Sequence, residues 1–339
     1  EKGLPFNPLT IVDDWRGHPT SKSFILGFLE DGTPLSRSYK EGRLPRSSHP
    51  GMGKIGMHGA LEQSSNVYFS LLAVDVIQNP LNLERITKQF GMGEKTSIDL
   101  PREARGKVPD DLVQNRTGLY SFAIGQHTLE VTPLQTAVMM STIANQGTIV
   151  RPHIGLKLEG TDRVLHHELL EEPTWTLDQL SMQPTYHQDE NIVQYVSGQT
   201  EKSLPFPSPI FNYLFEGMKR VVKGSRGTAR PGAMRALYDH PSSLKDYLEV
   251  HNDMVGKTGT AQALYKHSIS SAASPIMEHY ISFAAIAYPK DSILLPPTEK
   301  EPELVVVVSL RYRQAGLEGG PIAGQIIKKW REIKARSNN

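Results

Sequence analysis

Apolar residues recur at helical spacing in several stretches of the chain. Phe211, Leu214, Phe215, Met218, Val221 and Val222 fall on one stripe, and Gly224 is placed to close that helix. Thr132-Pro133 opens another. A threonine side chain caps free N–H groups, and proline suits the first turn because it has no N–H to satisfy. Leu134, Ala137, Val138 and Ser141 share one face of it, and Gly147 can end it in a left-handed conformation. Near the C-terminus Ile322, Ile326, Trp330 and Ile333 lie on one side of a last helix, suited to packing on a sheet. Between positions 57 and 77 two apolar stretches flank Ser64-Ser65-Asn66, with Ala60 and Leu61 before it and Val67, Leu71, Leu72 and Val74 after. That pattern predicts two helices meeting at a polar corner.

Positions 280–288 and 303–313 read differently. They are apolar, β-rich runs separated by proline-containing loops, as in sheet strands. Residues 1–56 show little periodicity and read as loop and short strand over a surface. Helices in the first half with strands and a closing helix in the last quarter give an α+β fold: an antiparallel sheet flanked by helices, with an all-helical lobe. The 339 residues form a single domain, with 157–208 and 232–252 read as insertions.

Composition narrows the function classes. Lys and Arg number 37 against 36 Asp and Glu, so nothing points to nucleic acid or an anionic bilayer as main partner. The basic run Lys328, Lys329, Arg331, Lys334 and Arg336 reads as a solvated helix face. With no cysteine, disulfides, thiolate catalysis and thiolate zinc sites are excluded. His166-His167-Glu168 begins like a zinc motif, but no second histidine follows at helical spacing, so no metal is expected. No apolar stretch reaches the ~18 residues of a membrane span.

Two short segments carry chemistry. In a strand, Lys257-Thr258-Gly259-Thr260 puts Thr258 and Thr260 on one face and Lys257 on the other. Two hydroxyls can grip a substrate carboxylate while the ammonium lies beneath the cleft. Gly259 permits close approach of another backbone or a ligand, and the Thr260 N–H can meet a developing oxyanion. An ordinary strand edge with a turn-forming glycine fits the same residues. Far upstream, Ser64 offers a hydroxyl able to relay a proton near a lysine, and Asn66 an amide able to donate and accept. Ser64 and Asn66 could equally cap a helix.

The order of these segments resembles the transpeptidase domain of penicillin-binding proteins, most closely the monofunctional kind. The resemblance extends over His58 to Phe69, Phe90-Gly91-Met92-Gly93, Asp99-Leu100-Pro101 with Glu103, and Ala123-Ile124-Gly125-Gln126. It continues through Thr132-Pro133-Leu134-Gln135, Ile143 to Gly147, Gly227-Thr228-Ala229 and Lys257 to Gln262. His127 stands where relatives often have glycine. The resemblance implies a penicillin-binding protein/serine β-lactamase-like fold without metal or organic cofactor. It implies a D,D-transpeptidase that cross-links stem peptides of peptidoglycan through a serine acyl-enzyme and is a β-lactam target.

Ser64, Asn66 and Lys257 would be catalytic, and Thr258, Gly259 and Thr260 would bind substrate. The implied setting is the periplasmic face of a bacterial inner membrane, beside a membrane-embedded glycan polymerase. One departure bears on mechanism. The family's nucleophile lies in a Ser-x-x-Lys upstream of the Ser-x-Asn, whereas Ser242-Ser243-Leu244-Lys245 follows it. Glu1-Lys2-Gly3 resembles the stretch just past that nucleophile helix, so the chain is expected to start after it and to be inactive alone. A non-catalytic β-lactam sensor or cell-wall scaffold, and a D,D-carboxypeptidase or β-lactamase of the same fold, remain as alternatives.

Overall fold

A computed structural model describes residues 11–14, 23–28, 34–38, 52–73, 79–154, 158–159, 164–165, 175–176, 182–186, 193–197, 208–237, 241–265, 276–290, 292, 301–313 and 315–337. Glu1-Lys2-Gly3, His166-His167-Glu168 and most of 157–208 lie outside them.

Short strands come first: β1 (Val12–Asp14), β2 (Ser23–Phe28), β3 (Pro34–Ser38) and β4 (Gly53–Ile55). β1 pairs with β4 and β2 with β3, both antiparallel. Helices follow: α1 (Met57–Gln63), α2 (Asn66–Leu71), α3 (Pro80–Gln89), α4 (Arg116–Phe122) and α5 (Pro133–Ala144). Then come β5 (Thr148–Ile149), β6 (Leu158–Glu159), β7 (Val164–Leu165), β8 (Trp175–Thr176), β9 (Met182–Tyr186) and β10 (Val193–Ser197). They pair antiparallel as β5 with β8, β6 with β7 and β9 with β10. The last third holds α6 (Ser208–Lys223), α7 (Pro231–Leu237), α8 (Pro241–Val250), β11 (Met254–Tyr265), β12 (Ile276–Ala287), β13 (Leu304–Arg311) and α9 (Gly320–Ser337).

The central sheet is antiparallel in the order β11-β12-β13, so β11 is an edge strand among the described residues. Alternation along β12 sorts the core into two layers. Phe283, Ala285 and Ala287 pack with Met234, Leu244, Tyr247, Ala323 and Ile327, on the side of α8 and α9. Ala284 and Ile286 pack with Met140, Ala144, Phe215 and Met218, on the side of α5 and α6. Lys257 pairs with Ala284 and Thr258 with Phe283. The lysine therefore faces the α5–α6 side and the threonine the other. A separate cluster of Ala73, Met92, Val108, Leu112, Leu119 and Phe122 forms the helical lobe. These layers are the α+β arrangement expected from the sequence. The stretch 232–252 runs through α7 and α8, and Leu244, Tyr247 and Val250 all join the sheet's core.

Thr132-Pro133-Leu134-Gln135 has a structural explanation. The Gln135 N–H donates to the Thr132 hydroxyl at 3.1 Å, and the Thr132 N–H donates to Gln135 Oε1 at 2.9 Å. This is a reciprocal cap. The other end of the same buried carboxamide donates to the carbonyls of Gly91, Glu94 and Arg105 at 3.3, 2.8 and 2.9 Å. One side chain thus starts α5 and ties the 91–105 loop to it. α5 buries a different set from its expected stripe, because it lies between the sheet and the lobe: Gln135, Met140, Thr142 and Ala144 are buried with Val138, while Leu134, Ala137 and Ser141 are only half-buried.

α9 departs from expectation. Ile322, Ile326, Trp330 and Ile333 are 37–49% exposed. The buried face carries Ala323 and Ile327 in the sheet's core, with Gly320 and Gly324 turned to α7 and α8. The cause is close packing: a Cβ on Gly324 would lie 2.6 Å from the Tyr247 backbone of α8. Small residues let α8 and α9 touch, and the bulky stripe turns outward. Nor is the basic run simply solvated. Arg331 bonds Glu303, Asp253 and the Tyr288 carbonyl at 2.6, 3.0 and 2.7 Å, and Lys328 bonds Asp246 and Glu249 at 2.7 and 2.8 Å.

Replacing Gln135 by Ala leaves three inward carbonyls and one N–H without their partner and should cost about 3 kcal/mol in urea unfolding. Thr132→Ala, which removes only the cap, should cost about 1 kcal/mol. Equal losses would show that the carbonyl clamp contributes nothing beyond the cap.

Candidate active site

The site is built around a strained corner. α1 ends at Ser64, whose φ of 55° and ψ of 55° put it in the left-handed region. Glycine is the usual residue there, and a side chain costs about 1–2 kcal/mol. Ser65 turns the chain at once. Its N–H donates to the Ala60 carbonyl at 2.9 Å, and its hydroxyl caps α2 by accepting from the Tyr68 N–H at 3.0 Å. The same hydroxyl donates to the carboxylate of Asp14 in β1, and both residues are buried. The N-cap of α2 is therefore Ser65, while Ser64 is the C-cap of α1. Asn66 is the first residue of α2. With Ser65 and Asp14 fixing the turn, the Ser64 hydroxyl projects from the corner.

That hydroxyl meets Lys257. The ammonium donates to Ser64 Oγ across 193 positions of sequence, and to the Thr258 carbonyl at 2.8 Å. Burial pushes the Lys257 pKa down from 10.5 to about 8. The unfolded chain then binds more protons between about 8 and 10.5. The buried charge costs stability at neutral pH, and stability rises with pH across that window. A lysine so placed can donate to Ser64 when charged and accept its proton when neutral. That is the chemistry of a proton relay.

Other contacts bind the corner to the strand. The Thr258 and Thr228 hydroxyls are 2.7 Å apart. The Thr228 N–H donates to the Glu62 carbonyl of α1 at 3.2 Å, and the Arg226 N–H to the Glu62 carboxylate at 2.9 Å. A closed circuit results, from α1 through the 226–228 loop to β11 and back through Lys257 to Ser64. Gly217 of α6 permits it, since a Cβ there would lie 2.3 Å from Leu61. On the other threonine, Oγ1 of Thr260 accepts from the Gly316 N–H at 3.2 Å. Gly316 lies so close over Gly259 that a Cβ would meet its carbonyl at 2.5 Å. It is the side chain Gly316 lacks that makes room for this approach; a Cβ on Gly259 would instead meet the Ser282 hydroxyl at 2.5 Å.

Finally, the carboxamide of Gln126, on the turn between α4 and α5, donates to the Thr260 carbonyl and accepts from the Gln262 N–H, both at 3.2 Å. N–H and C=O of one strand residue point the same way, so the Thr260 N–H also faces outward from the sheet.

The structure thus gathers Ser64, Lys257, Thr258 and Thr260 into one region, with Asn66 and Gly259 adjoining. It does not bring in Ser242 and Lys245. Both lie on α8, against the sheet face opposite Lys257, and Lys245 is exposed. The model of the penicillin binding protein transpeptidase domain family matches residues 33–330. The chain belongs to this family.

Among its relatives, the peptidoglycan D,D-transpeptidase MrdA of Acinetobacter baumannii is 34% identical over 129 residues, 33% of this chain and 18% of that protein. Among solved structures, Pseudomonas aeruginosa PBP2 in complex with WCK 5153 matches with a TM-score of 0.56 at 20% identity, covering 95% of this chain and 54% of that one. The Helicobacter pylori complex of PBP2 with MreC matches with a TM-score of 0.54 at 19% identity, covering 97% and 46%. The structural likeness shows the penicillin-binding protein fold, and the chain spans about half the length of these solved relatives.

Some residues around the site had no sequence signal for a role. Asp14 sits in an unremarkable Val-Asp-Asp, 51 positions from Ser65. Thr228 and Gln126 fall within stretches that resemble the family, yet nothing in their spacing pointed to β11. Lysine titration followed by NMR in isotopically labelled protein should show one ammonium titrating near pH 8, absent in Lys257→Arg. If every lysine titrates near 10.5, the ammonium is not desolvated.

Proposed function

We propose that the complete protein is a peptidoglycan D,D-transpeptidase and a β-lactam target, acting at the extracytoplasmic face of the bacterial membrane. The observation that carries this reading is the Lys257–Ser64 contact at the edge of β11, in a chain of the transpeptidase family. Acyl transfer needs a nucleophile, and Ser242 lies away from this site. We infer that the acylated serine is that of the family's Ser-x-x-Lys, a motif that lies ahead of the Ser-x-Asn in relatives.

Its oxygen attacks the carbonyl between the two terminal D-alanines of a stem peptide, and its proton goes to the lysine of its own motif. The outward N–H of Thr260 stabilises the oxyanion, a donor worth about 3 kcal/mol. The Thr258 and Thr260 hydroxyls hold the terminal carboxylate, and the Asn66 amide holds the peptide. Ser64, held by Lys257, passes a proton to the departing amine of the last D-alanine. An amine of a second stem peptide then attacks the serine ester, forming the cross-link and freeing the serine. β-Lactams stop at the ester. A lowered lysine pKa suits this work, because Lys257 can give up and regain a proton near neutral pH at little cost.

The complex of the H. pylori relative with MreC supports work within an assembly. A membrane-embedded glycan polymerase is the partner that would supply the strands to be linked. Among the described residues no helix is long and apolar enough to cross a membrane.

A fluorescent penicillin should label the complete protein covalently. Lys257→Ala should abolish labelling, and Lys257→Arg should retain a fraction of it. Absence of labelling in the parent would favour a non-catalytic role. Hydrolysed rather than cross-linked product from stem peptides would favour a carboxypeptidase. The labelling rate should fall as pH rises through about 8, when Lys257 loses its charge, and Lys257→Arg should lack that fall.

A further inference from the structure

Gln126 occupies the place of a peptide. β11 is an edge strand of the described sheet, and an open edge offers outward N–H and C=O groups to any extended chain. At Thr260 and Gln262 those groups are taken. One carboxamide satisfies both, donating to the Thr260 carbonyl and accepting from the Gln262 N–H at 3.2 Å each. These two groups flank Ala261, and an added strand would claim the same pair. A primary amide has the same donor and acceptor as a peptide unit, so the side chain stands in for one residue of a missing strand.

The position is fixed rather than fortuitous. Gln126 follows Gly125, whose φ is 74°, and its own N–H donates to the Ser121 carbonyl at 2.9 Å. The next residue, His127, has a φ of 69°, which a histidine adopts only at a cost. Its Nε2 lies 2.7 Å from the Asp111 carboxylate, and Asp111 also accepts from Asn115, the cap of α4. The turn is pinned on both sides of Gln126, with its side chain directed at β11.

We propose that Gln126 is a specificity-determining residue for the acyl donor: its carboxamide competes with the donor's backbone amide for the Thr260 carbonyl and the Gln262 N–H. This rests on the transpeptidase reading of the same site. A donor with an N-acyl amide beside its reacting carbonyl must displace Gln126 to pair along β11. A donor without that amide has no use for the two groups. Gln126 therefore sets how far along the edge a peptide extends, and a peptide that fails to open it keeps only its contacts with Asn66, Thr258 and the Thr260 hydroxyl and N–H.

The test compares two β-lactams on the complete protein, one with an acylamino side chain and one with a bare amine at that carbon. In Gln126→Ala the ratio of second-order acylation rate constants, acylamino over amine, should rise roughly five-fold, as two competing hydrogen bonds of modest net strength are removed. Gln126→Asn keeps the amide but is one methylene too short to span both groups, and should raise the ratio in the same direction. Thermal melting of both variants confirms folding, and the Asn variant carries the test if the Ala variant does not fold. An unchanged or lowered ratio overturns the inference while leaving the transpeptidase reading intact. A parent protein acylated by neither compound overturns that reading and this inference with it.

Discussion

A lysine ammonium held against a serine hydroxyl is the contact on which the rest of this structure depends. Lys257 and Ser64 stand 193 positions apart, and each is placed at a cost. The serine occupies a left-handed corner that glycine would take more cheaply, and the lysine gives up enough solvation to lower its pKa to about 8. Neither cost helps the fold. Strain and desolvation concentrated on one pair of side chains are the mark of a site kept for its chemistry. The surrounding contacts maintain both. Asp14 and Ser65 fix the corner from one side, and Glu62 with Thr228 joins α1 to β11 from the other.

What the sequence made legible follows from local rules. Alternation along 257–260 placed Lys257 opposite the two threonines, because strand periodicity holds regardless of what packs above it. Thr132 and Pro133 marked the start of α5 through backbone needs that are the same in any protein. The polar triplet between two apolar stretches gave the corner between α1 and α2. The α+β class followed from the order of such elements.

The rest depended on partners distant in sequence. The face α9 presents to the sheet was misjudged because large apolar residues are the usual sign of burial. Here Ala323 and Ile327 join the sheet's core, while Gly320 and Gly324 let α9 lie against α7 and α8 through the side chains they lack. Asp14, Thr228 and Gln126 have no local pattern that announces them. Each acts through one contact with a segment whose position only the folded chain reveals. Beside the cap read at Thr132, the part Gln135 plays in it and its grip on three carbonyls of another loop were not read.

The central claim is that Ser64 and Lys257 act as one unit. A double-mutant cycle on the complete protein tests it most directly, with Ser64→Ala, Lys257→Met and the double variant compared in acylation rate by a single β-lactam. Residues that work as a unit are strongly non-additive, so the double variant should be scarcely slower than the worse single variant. If the two losses instead multiply as independent effects, the contact seen between these side chains is not the one that drives the chemistry.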